Sequence, residues 1–301
     1  MGGMQRSAGL ILGAMVWLAT GALAHAQADV RPEVLEQVYS QWRNALMTRN
    51  VAAWQAATAS HRQGQVRNRL VSERRAYPAA VFEVPAAPPA LAGLRRVMAK
   101  QVGRTAKLSY FGKVDFGVGG EPTDNLFVVS FVQEGAAWKF DAADFVSLAA
   151  LPAERAEIGA GNLSYLDETA DFAPSGVVPP VPAAVPAPKY LAKVYIYAPG
   201  RDVQVVVNEL SNHRVVNDRE ADIVIGGARD GANRVSWAIT NLPGATGKEA
   251  MTIRVYLLSE VQGVKPVKAF EYQVDVGQVP QLTGADQFTV DAAIARTLAG
   301  Q

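Results

Sequence analysis

The chain has 301 residues, 49% of them apolar and 19% charged, which is enough to build two cores and excludes a wholly disordered protein. Lysine and arginine number 29 against 28 acidic residues, so no global field draws the protein to nucleic acid or to an anionic membrane. Without a single cysteine there are no disulfides, no thiolate chemistry and no thiol for lipid attachment.

Arg6 precedes an apolar run over residues 9–24 that ends in Ala24-His25-Ala26, the three-part pattern of a secretory signal peptide. Cleavage is expected before Gln27. The run includes three glycines and a threonine and falls short of the roughly 20 residues that span a bilayer, so no stable membrane insertion is expected after cleavage. A bacterial periplasm or exterior follows as the expected location.

Residues 27–150 read as a first domain with helices followed by antiparallel strands. Pro32 suits a first helical turn, and Val34, Leu35, Val38, Trp42, Ala45 and Leu46 recur at helical spacing. Asn50 can cap a short second helix carrying Val51, Trp54 and Ala57. Arg62, Arg67, Arg69, Arg74 and Arg75 then surround one acid, Glu73, on a segment that still reads as helical. A solvated face accounts for such a charge run; a guanidinium clamp for phosphate or carboxylate, with Arg67 and Arg74 in it, is the alternative. Leu91, Leu94 and Val97 suggest a further helical turn or two. Residues 107–116 alternate, with Leu108, Tyr110, Val114 and Phe116 on one face, Lys107, Ser109, Lys113 and Asp115 on the other, and Phe111 out of step. Residues 126–132 are apolar on both faces, and residues 133–136 turn them back into a closing strand over 137–146.

A helix carrying Trp42, an Asn-capped helix carrying Trp54, more helix, and long strands ending in Trp138-Lys139-Phe140-Asp141 resemble the ketosteroid-isomerase-like (nuclear-transport-factor-like) cone superfamily. The resemblance implies a sheet wrapped around a pocket that many members use for small ligands and some for proton transfer. Proton transfer would need an acid or base inside the cone. Parity instead places Asp115 and Asp141 on the lysine-bearing face, as solvated partners of Lys107, Lys113 and Lys139. Tyr110 is the evident inward polar group, and His61, at the end of the second helix, has no metal-spaced companion. Neither metal nor cofactor is expected.

Residues 151–189 read as a linker, first acidic and then proline-rich. Over residues 172–189 the prolines deny both helix and ladder, so the stretch should be an exposed polyproline II spacer of roughly 3.1 Å per residue. Residues 190–280 follow as short alternating strands between Gly and Pro turns, with Trp237 on a middle strand, and resemble an immunoglobulin-like β-sandwich. Lys193, Tyr195 and Tyr197 share the outward side of one strand, and Arg254 and Tyr256 that of another. These tyrosines either anchor a partner or pack under other parts of the chain. In the tail over 281–301, Thr289 can cap a helix whose Val290, Ile294 and Leu298 align.

The expected protein is therefore multidomain, α+β followed by all-β with a short C-terminal helix. Its expected function is non-catalytic binding or adaptor work outside the cytoplasm, with an unidentified protein or polysaccharide partner and no nucleic acid. Candidate contact residues are Tyr195, Tyr197, Tyr256, Arg254, Arg67, Arg74 and Tyr110. The alternative is a small-ligand protein or enzyme using a pocket in the first domain.

Overall fold

The computed structural model describes residues 31–114 and 123–301; the expected signal peptide and the positions Asp115 and Phe116 lie outside them. The described chain contains a few helices and three antiparallel sheets of four strands each.

Helix α1 (Pro32–Met47) opens on its proline and buries Leu35, Tyr39, Ala45 and Leu46. Asn50 caps α2 (Val51–Ala57), its Oδ1 accepting the Ala53 N–H at 3.0 Å. Helix α3 (Ser60–Ser72) follows at once. The first sheet runs β1 (Arg95–Val102), β2 (Thr105–Lys113), β3 (Asp124–Glu134), β4 (Ala137–Val146) in chain order. Where Leu91, Leu94 and Val97 suggested helix, the chain makes one turn, Leu94 N–H to Leu91 O, and Val97 already lies in β1. Pairing of β1 with β2 outweighs the short helical pattern there.

Both faces of this sheet are covered. On one, Leu35 and Tyr39 of α1 pack against Leu108, Tyr110, Phe127, Val129, Phe131 and Phe140. On the other, α4 (Pro152–Ala160) and α5 (Ser164–Glu168) bring Ile158 and Leu166 down on Phe111, Leu126 and Val128, with Phe172 beside them. The acidic half of the expected linker is thus a layer of the structure. Phe111 is not out of step; the face it occupies, expected to be wet, is an apolar contact.

The β4 parity breaks at Asp141. Ser130 pairs with Ala142 and Phe131 with Phe140, so Asp141 is the extra residue of a bulge, where the ladder bends and a side chain is re-aimed. It does not stand beside Lys139, which donates to the Ala56 carbonyl at the end of α2.

The other two sheets run β11–β10–β5–β8 and β12–β9–β6–β7. Their strands are β5 (Leu191–Tyr197), β6 (Arg201–Val207), β7 (Ser211–Val216), β8 (Arg219–Ile223), β9 (Gly231–Asn241), β10 (Met251–Leu258), β11 (Val267–Val274) and β12 (Thr283–Val290). Alternate residues of both sheets, among them Val194, Ile196, Val203, Val205, Val235, Ile253 and Val255, form one shared core. Each such side chain contributes about 1.5–3 kcal/mol relative to exposure. Trp237 lies in this core, stacked on Tyr272 at 4.5 Å, its Nε1 donating to Gln281 O at 3.1 Å. Its β12 partner is Gly284, where a Cβ would sit 2.4 Å from the indole, so the ring needs the glycine's bare backbone.

Thr289 is in β12 and does not cap the last helix. Asp291 does, accepting the Ile294 N–H at 2.8 Å, and α6 (Ala292–Leu298) buries Leu298 in the sandwich core. At the far end the Arg201 side chain is fully buried, its Nη2 3.6 Å from Glu249 Oε2 and beyond hydrogen-bond reach of it.

Helix α3 joins the two parts. Asn68 Nδ2 donates to Ala183 O at 2.8 Å and its Oδ1 accepts the Val185 N–H at 3.1 Å. Pro182 lies against Gly64, and Val185 is only 3% exposed. Further along, Arg69 pairs with Asp222 at 2.8 Å and Ser72 Oγ accepts the Gly226 N–H at 2.8 Å. The proline-rich stretch has the unladdered backbone expected of it but is not a free spacer. Its carbonyls, which no helix or sheet satisfies, are acceptors for α3.

Candidate functional site

The outer face of the β11–β10–β5–β8 sheet gathers four of the sequence candidates. Tyr256 lies opposite Lys193, Arg254 opposite Tyr195, and Thr252 opposite Tyr197, which in turn faces Arg219. The alternate residues of β5, Val194 and Ile196, are in the core, so the tyrosines point outward by strand parity. Tyr197 is 38% exposed, and Tyr195, Tyr256 and Arg254 are half-buried. Arg254 and Lys268 both bond Glu271, and those two cations hold its carboxyl below the usual carboxylate range.

Arg67 and Arg74 are elsewhere and are engaged. Arg67 donates to Val185 O at 3.2 Å; Arg74 donates to Pro188 O at 2.9 Å and to Lys189 O at 2.6 Å and pairs with Glu260. Arg67 and Arg74 are therefore no open clamp, because backbone carbonyls and a carboxylate of this chain fill their forks, whereas Arg69 and Arg75 keep the exposure expected of a solvated face and pair with carboxylates there. Tyr110 is buried, donates to Glu36 Oε1 at 2.8 Å, and has its phenol pKa raised by burial and by that carboxylate. Arg96 closes the group, 2.7 Å from the same Glu36 oxygen.

The bulge builds a second feature that odd–even alternation does not reveal. His61 is in the first turn of α3, 2% exposed, with its Nε2 2.7 Å from Asp141 Oδ1. Arg62 Nε donates to the Asp141 carbonyl at 2.6 Å. Beside them a cleft of about 360 Å³ opens along β4, an edge strand, between residues 140–144 and the Val84–Pro88 segment. Its floor includes Trp42, stacked on Phe140 at 3.7 Å, and Trp54; Arg62, Asp141 and Asp144 supply its polar wall. His61 does not line it. A parity count through residues 137–146 fails here because one bulged residue reverses every later position.

In the sandwich, Ser211 Oγ is 2.7 Å from His213 Nε2, and His213 Nδ1 is 4.0 Å from Asp222 Oδ2. This order imitates a nucleophilic relay but lacks its access. Ser211 is fully buried and its Oγ accepts the Ile225 N–H, while burial lowers the His213 pKa. Among the described residues there is no cluster of three or more His, Asp or Glu side chains suited to a metal, and no helix long and apolar enough to cross a membrane.

No protein-family model matches the chain, and no curated protein matches it. A search of solved structures returns the two C2 domains, A and B, of extended synaptotagmin 2, at 7% identity over 64% of this chain and 86% of that one, with a TM-score of 0.13, too low to bear on the fold.

Proposed function

We propose that this is an exported, non-catalytic binding protein, in which an α+β part similar to the cone superfamily and an immunoglobulin-like sandwich present the outer tyrosine face to a partner. The observation that carries the reading is that Tyr195, Tyr197 and Tyr256 lie together on an outward sheet face with no layer of the chain needed to complete the core beneath them. Tyrosine offers large contact area with few rotors to freeze, which suits a binding face. The residue pattern at the N-terminus supports export. Titrating the mature chain and its Tyr195→Ser/Tyr197→Ser/Tyr256→Ser variant against envelope glycans and peptides tests the reading. A folded variant that keeps every interaction of the parent removes it.

The Trp42 cleft favours a second reading, a small apolar ligand held between β4 and the Val84–Pro88 segment. Quenching of tryptophan emission by apolar probes, lost in Trp42→Ala, would mark that site; unchanged emission on titration would exclude it.

A further inference from the structure

The tyrosine face has a repeat. Each of its three tyrosines has a cation as its registered neighbour across one strand boundary: Tyr256 with Lys193, Tyr195 with Arg254, Tyr197 with Arg219. The pairs occupy three successive rows, two residues apart along β5, a step of about 6.8 Å at the usual rise of an antiparallel strand. Lys268 extends the first row through its pairing with Tyr256. Within these rows the cations are Lys193, Arg219, Arg254 and Lys268, and the one carboxylate is Glu271, which Arg254 and Lys268 already share. The charge of this face therefore departs from the near-neutral whole, +1 over 301 residues.

We propose that this face binds an acidic polysaccharide, a polymer of uronic-acid units, along the tyrosine track; this rests on the reading of the face as a binding surface. A ring with an apolar C–H face and one carboxylate per unit matches an aromatic and a cation per row. The tyrosines receive the ring faces, and Lys193, Arg219 and Arg254 receive the carboxylates, Arg254 by exchange with Glu271. Net positive charge in the rows selects acidic over neutral glycans, while the tyrosines separate this surface from a purely electrostatic patch. The choice of a polysaccharide over nucleic acid also rests on the proposed export, and the oligonucleotide probe tests it.

The test uses the whole mature chain, with polygalacturonate, neutral dextran and a single-stranded oligonucleotide as probes, in affinity electrophoresis and calorimetry at low and high salt. The expected result is salt-sensitive binding of polygalacturonate alone, weakened about tenfold or more both by the tyrosine-to-serine variant and by Lys193→Gln/Arg219→Gln/Lys268→Gln. The second variant changes exposed positions only and guards against misfolding of the first. Dextran binding that only the tyrosine variant abolishes would overturn the acidic class and leave the binding face standing. Tighter binding of the oligonucleotide would also overturn the class. If polygalacturonate binds equally to the parent and to both folded variants, the proposal fails.

Discussion

The side-chain amide of Asn68 pairs with the backbone of Val185 across 117 residues of sequence, Oδ1 accepting the N–H at 3.1 Å, while its Nδ2 holds Ala183 O at 2.8 Å. Asn68 is buried, so its removal leaves the Val185 N–H and the Ala183 carbonyl without their partner. Asn68→Ala is expected to cost about 1–3 kcal/mol in urea unfolding and to open residues 180–188 to limited proteolysis. A variant as protease-resistant as the parent would show that the amide does not hold the stretch.

Arginines of the same run should differ sharply. Arg74 bonds the Pro188 and Lys189 carbonyls and Glu260, whereas Arg75 meets only Glu73 and Glu83 at the surface. Arg74→Gln should lower stability by about 1 kcal/mol or more, and Arg75→Gln should stay within about 0.5 kcal/mol. Equal melting temperatures for the two variants would contradict this placement.

His213 gives a pH dependence with a definite sign. Burial lowers its pKa from 6.5, with Asp222 opposing that shift and Arg69 adding to it. The unfolded chain therefore takes up a proton that the fold resists, so this contribution is complete above about pH 7 and is lost as pH falls through 6.5 towards the depressed value. His213→Gln should flatten the slope of the urea midpoint between about pH 7 and 5. An unchanged slope would refute the assignment.

The Arg201–Glu249 pair is asymmetric, its guanidinium fully buried and its carboxylate about a quarter exposed. The backbone N–H groups of Glu249 and Thr246 and the Thr246 hydroxyl hold the Glu249 carboxyl down at about 2, with Arg201 a lesser cause. Glu249→Gln leaves a fully buried guanidinium without its counter-charge; Arg201→Met removes the buried charge itself. The first should destabilise more than the second. Acid titration should also show the Glu249 contribution present above about pH 4.5 and fading towards pH 2, and absent in Glu249→Gln.

Much of the sandwich is legible in the sequence because its strands bury one face and wet the other: residues 251–257 alternate in sequence as they do in burial. Asn50 is legible as a cap because the cap is a local bond. Elsewhere the deciding interactions are distant. Phe111 looks out of step because nothing near it in sequence announces α4 and α5 on the second face of the sheet. Alternation sends Asp141 to solvent because the bulge that turns it towards His61 has no glycine or proline signature. The last strand escapes a reading by pattern because Thr283–Val290 holds only two buried residues, Phe288 and Val290, and is recognised by its pairing with β9. Of the candidate site, the tyrosines and Arg254 come through alternation, but Lys268 and Arg219 need the register.

The grip of α3, and of Arg74 just past its end, on the proline-rich stretch changes what length means there. In a tether, an inserted residue only adds reach. Here Ala183 and Val185 must meet the two ends of one amide while Pro188 and Lys189 meet one guanidinium. A single insertion between the two anchor points moves one set off its partners, so the stretch has a register as strict as a strand's, although no strand pairs with it.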